Sequence, residues 1–158
     1  MEQYVKPFVD VTVETFKSFV NHEVSPQVPF VSSKAITMTW DISALIGVSG
    51  KFNGSMLIAM QKDLALKLTD TIVGSAHTDM DADVTDAVGE IINIIGGNIK
   101  RIVQEGERIM ISLPTVVKGP DHSITWSAKR VQVLCIPFTV SDGAVFHLLW
   151  AIETAKGL

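Results

Sequence analysis

One stretch constrains this chain more than any other: residues 86–103, DAVGEIINIIGGNIKRIV. Its isoleucines recur at helical spacing, which predicts a core helix over about residues 83–105. Yet Gly89, Gly96 and Gly97 stand inside it, each costing about 1 kcal/mol against alanine in a helix interior. An acid and an amide, Glu90 and Asn93, sit one turn apart in the same stretch. A core helix that gives up so much stability must serve something besides packing.

Stepping 100° per residue separates two faces. Val84, Val88, Ile91, Ile92, Ile95, Ile99, Ile102 and Val103 gather on the expected core side. Asp83, Asp86, Gly89, Glu90, Asn93, Gly97, Lys100 and Arg101 fall opposite, with Ile94 between Glu90 and Gly97. By residue type alone, a solvated face accounts for Glu, Asn and Lys. Three details favour a contact surface instead. Asparagine is a mediocre helix former, because its amide competes for backbone groups. Gly89 and Gly97 lie outward, where they leave room for another backbone to approach. Ile94 is an apolar residue beside them. Asp86, Gly89, Ile94 and Gly97 are therefore expected to be docking positions around the central pair. Gly96 lies nearer the core border and is expected to serve tight packing.

The rest of the chain reads as helices alternating with strand groups. Residues 4–23 carry one apolar helical face, from Val5 and Phe8 to Phe19 and Val20, with Pro7 in the first turn. After Pro26 and Pro29 come strand-like runs, AITMTW, ALIGVSG and GSMLIAM, the last two joined through GKFNG. Residues 62–73 read as a shorter helix that ends before Gly74. The acidic linker HTDMDAD leads into the long helix, which Asp81 or Asp83 is placed to cap. Strands return in RIMISLPTVVKG, KRVQVLCIPFTV and AVFHLLWAIE, with PDHS expected as a loop tip. The order of elements repeats. Asp10, Glu14 and Lys17 on the first helix match Asp86, Glu90 and Asn93, each set followed by a proline and a hairpin. One α+β domain over residues 1–158 is expected, with pseudo-repeats at about 4–74 and 83–152 whose long helices pack on antiparallel strands.

Bulk properties exclude several classes. Hydrophobic residues make up 47% and charged residues 19%, which rules out disorder. A net charge of −4 without a Lys/Arg cluster argues against nucleic acid as a partner. No apolar run reaches the roughly 18 residues of a membrane span, and the N-terminus lacks the pattern of a signal peptide. Cys135 is single, in a strand-like run, and is expected to be a buried apolar residue in a reducing compartment. Asp79, Asp81, Asp83 and Glu90 have the spacing of part of a calcium loop, but its glycine position holds Val84. His22, His77, His122 and His147 share no ligand spacing, so no metal site is expected. Phosphate-loop and nucleophile-elbow motifs are absent.

The set Asp86-x-x-x-Glu90-x-x-Asn93, followed about twenty residues later by Pro114, resembles the signature of the CheC/CheX/FliY chemotaxis phosphatases. GEIINIIGGN looks most like CheX, and the order of elements matches over nearly the whole chain. The resemblance implies a CheC-like fold, a homodimer and a cytoplasmic protein. It implies hydrolysis of the aspartyl phosphate of a CheY-like response regulator. Glu90 would pair with the regulator's active-site lysine, and Asn93 would hold the attacking water. Lys17 stands where the first repeat would carry its amide, so one working site per chain is implied. No cofactor is expected on this chain, because Mg²⁺ would belong to the receiver domain of the partner. A non-catalytic adaptor for a receiver domain, or a flagellar-switch component, is the alternative.

Overall fold

The computed structural model describes residues 2–32, 36, 38–103, 108–126 and 131–153. The first helix, α1 (Glu2–Thr15), continues as a π-helical turn over Phe16–Val20. Asn21 ends it in the left-handed region, at φ 56°, donating its N–H to the Phe16 carbonyl. The helix stops three residues before the expected end at 23, and it begins early enough that Pro7 lies beyond its first turn. Two short strands that sequence patterning missed come next, β1 (Val24–Pro26) and β2 (Phe30–Ser32).

The expected strand AITMTW is corrected. Of its described residues only Trp40 is in a strand, as the first residue of β3 (Trp40–Gly50); residues 35 and 37 lie outside the described set. β3 turns into β4 (Gly54–Met60), and α2 (Lys62–Val73) follows with the expected limits. Asp41, on β3, satisfies the start of α2 by accepting the Lys62 N–H at 2.9 Å. Gly74 closes it at φ 80°. The long helix is α3 (Ala82–Val103). Asp81 is its cap, accepting the Val84 N–H at 3.2 Å. The expected extension to residues 104 and 105 lies outside the described residues. The remaining strands are β5 (Ile109–Ile111), β6 (Thr115–His122), β7 (Val131–Val140) and β8 (Val145–Glu153). PDHS is therefore no loop tip. Its first three residues end β6, and a register shift between Trp40 and Ile42 on β3 absorbs the irregular backbone there.

All pairings are antiparallel, in the order β1-β7-β8-β4-β3-β5, with β2 also on β7 and β6 also on β3. The hairpins β3–β4 and β7–β8 meet along β4 and β8, where Leu57 faces Leu149. The short strands after each long helix cross over. β1 and β2 pair with the later hairpin, and β5 and β6 pair with the earlier one. Each half thus completes the other's sheet, and the three helices share one core with it.

Alternation along β4 shows both faces of that sheet. Met56, Ile58 and Met60 join the helix side, while Leu57 and Ala59 belong to a second cluster with Trp40, Cys135 and Leu149. Loop residues Ile36, Met38, Ile124 and Trp126 pack against the second cluster, which explains why the central strands read as unbroken apolar runs. Cys135 is fully buried, and burial pushes its thiol pKa up to about 12, so it has no thiolate chemistry. Among the described residues, no helix is long and apolar enough to cross a membrane.

Candidate active site on the outer face of α3

The core side of α3 follows from its pattern. Val84, Val88, Ile91, Ile92, Ile95 and Ile99 are all buried against the sheet and its neighbouring helices. Burying a side chain of this size is worth about 1.5–3 kcal/mol, so these residues fix which way α3 faces. Ile102 departs from the expectation. It is 49% exposed and lines an open groove with Asp10, Val11 and Glu14 of α1. It turns to the α1 flank, where the groove leaves it open, while its neighbour Val103 still packs on the core.

With that orientation fixed, Glu90 is exposed and Asn93 half-buried, and the two side chains meet. The Asn93 Nδ2 donates to Glu90 Oε2 at 3.3 Å. The bond fixes the amide's sense. Its N–H side turns to the carboxylate, leaving Oδ1 as an acceptor for a water or a partner. Asp86 lies exposed one turn earlier, and Ile94 is half-buried beside the pair. Asp83, Asp86 and Glu90 give the first half of the helix a negative outer face, while Lys100 and Arg101 occupy its last turn. That arrangement also complements the helix dipole.

The three glycines have different surroundings. A Cβ on Gly97 would meet nothing within 4 Å, so this position is open as expected. A Cβ on Gly96 would come within 2.1 Å of Ile46 Cδ1 on β3, so Gly96 lets the helix lie down on the sheet. Gly89 requires a correction. It is buried, and a Cβ there would stand 3.5 Å from Val116 and 3.7 Å from Pro114. Its position on the flank of the helix, together with the β5–β6 connection lying across it, takes it off the outward face.

Pro114 thus reaches α3 directly, a contact that sequence spacing paired with the helix but did not place. On the other flank, Asp10 and Glu14 of α1 face Asn98 and Arg101 of α3 across the groove, whose volume is about 450 Å³. Lys17 is exposed within the π-helical turn. Among the described residues, three ligand-type side chains converge at one place only, His77, Asp81 and Asp83 before and at the start of α3. No such group forms at Glu90.

Comparison with known proteins identifies relatives of this chain. The family model for the chemotaxis phosphatase CheX matches residues 42–139, which include nearly all of β3, all of α3 and most of β7. The CheY-P phosphatase CheX of Thermotoga maritima is 25% identical over 152 residues, covering 95% of this chain and 96% of its own. A CheX crystal structure from Desulfovibrio desulfuricans superposes with a TM-score of 0.86 at 28% identity, covering 96% of this chain and 99% of the other. A CheX–CheY–BeF3–Mg²⁺ complex from Borrelia burgdorferi has the same fold, with a TM-score of 0.78 at 24% identity and coverage of 96% and 98%. The match to the family model spans more than half of the chain and holds the acid–amide pair, and the fold agrees from α1 to β8: the chain belongs to the CheX family of chemotaxis phosphatases.

Proposed function

We propose that this chain accelerates hydrolysis of the aspartyl phosphate on a CheY-like receiver domain, with Asn93 positioning the attacking water and Glu90 pairing with the receiver's lysine. The observation that carries the reading is the Asn93–Glu90 hydrogen bond on the outer face of α3. Phosphoryl transfer passes through a loose transition state, so placing a water in line and balancing charge are what a catalyst must supply. The Asn93 Oδ1 accepts a water O–H and turns the water's lone pair towards phosphorus. Glu90 has two carboxylate oxygens with about four acceptor sites, enough to hold Asn93 and a lysine together. The lysine contact is charge-assisted and sets the register of α3 in the partner's site.

Mg²⁺ takes one or two carboxylates together with phosphate oxygens and waters; in this reading Glu90 is committed to Asn93 and the lysine, and the cation belongs to the phosphate-bearing receiver. With Lys17 in place of an amide, α1 offers no second site. The protein acts in the cytoplasm, where receiver domains work. It pairs with a second copy through a sheet edge, for which Val28, Phe30 and Val31 at the β2 edge supply exposed apolar surface. The test is phosphate loss from a phosphorylated CheY-type receiver with Mg²⁺, with and without this chain. Acceleration that disappears in Asn93→Ala supports the reading. Measurable binding without acceleration replaces it with an adaptor.

A further inference from the structure

Leu113 is 86% exposed, more than any other large apolar side chain among the described residues. A scattered surface leucine needs no explanation, but this one is held out by a fixed backbone. On its N-terminal side, Ser112 is tied to β3 twice. The Gly47 N–H donates to Ser112 Oγ at 2.8 Å, and the Ser112 N–H donates to the Gly47 carbonyl at 2.9 Å. The same Ser112 hydroxyl donates to the Leu113 carbonyl at 2.8 Å. On its C-terminal side, Pro114 lies against Gly89 of α3 and restricts Leu113 to extended backbone. The connection between β5 and β6 is therefore set before any partner arrives, and its one large apolar side chain points into water.

Its place in the fold links it to the chemistry. Gly89 immediately precedes Glu90 and lies one turn before Asn93, and Pro114 joins Leu113 to that turn. A partner centred on Glu90 and Asn93 that spreads over this flank of α3 meets the β5–β6 connection, which lies across Gly89. We propose that Leu113 is an apolar anchor for the receiver domain, seated beside the Glu90–Asn93 pair on the rigid β5–β6 connection and matched to an apolar recess on the receiver. This rests on the phosphatase reading of that pair. The acidic outer face of α3 supplies attraction for the receiver's lysine and the leucine supplies desolvated contact area, the usual division between steering and holding. Because the backbone is already fixed, little ordering cost offsets the contact.

The test is a kinetic split. Phosphate release from a phosphorylated CheY-type receiver is followed over a range of receiver concentrations with Mg²⁺, using the wild-type chain, Leu113→Ser and Leu113→Met. Leu113→Ser is expected to raise the half-saturating receiver concentration about tenfold, as for a central interface side chain, with the maximal rate within about twofold of wild type. Leu113→Met, which keeps the apolar volume, is expected to stay near wild type. Both variants should keep the wild-type unfolding midpoint and oligomeric state, since the side chain is exposed.

An unchanged half-saturating concentration in Leu113→Ser overturns the proposal, as does a fall confined to the maximal rate. A change in oligomeric state also overturns it, by assigning the leucine to contact with a second copy. Failure of the underlying reading looks different: the wild-type chain itself gives no acceleration.

Discussion

The helices α1 and α3 lie side by side on one core and border the same groove, yet they are equipped differently. Each carries two acids four residues apart, Asp10 and Glu14 on one, Asp86 and Glu90 on the other. On α3 the next polar position three residues on is Asn93, and its amide bonds back to Glu90. On α1 that position is Lys17, and the helix has changed to π winding after Thr15. Regular α winding sets residues three apart on one face; a widened turn moves the later one round the axis. The difference is thus geometric as well as chemical. Asp10 is further occupied by an i, i+4 pair with Lys6, which at such exposure is worth little. Two helices of similar place and spacing differ in whether the local winding lets an acid hold an amide.

The largest expected effect breaks the comparison directly. Asn93→Ala should lower the maximal rate of receiver dephosphorylation on the order of 10²-fold, as for loss of one positioned group in a transition state, with the circular-dichroism spectrum unchanged. Adding Lys17→Asn to that variant should restore nothing, because the π-helical turn does not present residue 17 to Glu14 as residue 93 is presented to Glu90. Recovered phosphate release in the double variant would show that residue type alone separates the two helices.

The paired glycines sharpen the contrast within α3. Gly96→Ala must displace Ile46, which is fully buried, and is expected to destabilise the fold by about 1–3 kcal/mol in urea unfolding. Gly97→Ala meets nothing and is expected to stabilise by up to about 1 kcal/mol through helix propensity. If both substitutions shift the urea midpoint in the same direction, the two glycines do not face opposite environments.

This pair also marks how far the sequence could be read. The apolar period of α3 was legible because it depends on contacts every turn, and it set Gly96 near the core border; what Gly96 makes room for, Ile46 of β3, is distant in sequence and was not legible. The limits of α2 were legible from its closing glycine. Gly89 was misplaced because the chain that covers it, Pro114 and Val116, is distant in sequence and leaves no mark on the helix's own period. Ile102 fits the core period but is exposed, because periodicity carries no information about the open groove left between α1 and α3 at that flank. The strands β1 and β2, three residues each, are too short to show alternation. Asp41 caps α2 from another element, and only the folded chain brings them together. The acid–amide pair, by contrast, is local to one turn, and its contact followed once the helix was recognised.

A smaller effect tests whether the start of α3 keeps the pair in register. Asp81→Ala removes the side chain that accepts the Val84 N–H and should cost about 1 kcal/mol of stability. Asp81→Asn, which keeps a capping oxygen, should recover most of it. A larger loss of phosphatase rate than of stability in Asp81→Ala would mean that fraying reaches Glu90.

The smallest effect concerns His77, which joins α2 to the start of α3. Its Nδ1 meets Asp70 Oδ1 at 2.8 Å, its Nε2 lies 3.4 Å from Asp83 Oδ2, and its backbone N–H also donates to Asp70. Only the imidazolium donates from both ring nitrogens at once. The hydrogen bond that His77 donates to Asp70 raises the His77 pKa above its ordinary 6.5, with desolvation opposing and Asp83 and the nearby Asp81 adding to the rise. For a raised histidine pKa, the native state binds the proton more tightly than the unfolded chain. The contribution is therefore complete below about pH 6.5 and is lost as pH rises through the higher native value. His147 has the opposite sign, its pKa lowered by burial while its Nδ1 accepts from the Trp40 indole, so its contribution is lost on the acid side. Urea midpoints of the wild type and His77→Gln should differ most near pH 6 and converge as pH rises past neutrality. A difference that grows towards alkaline pH would mean that His77 links α2 to α3 in its neutral form, and that charge has no part in setting where α3 begins.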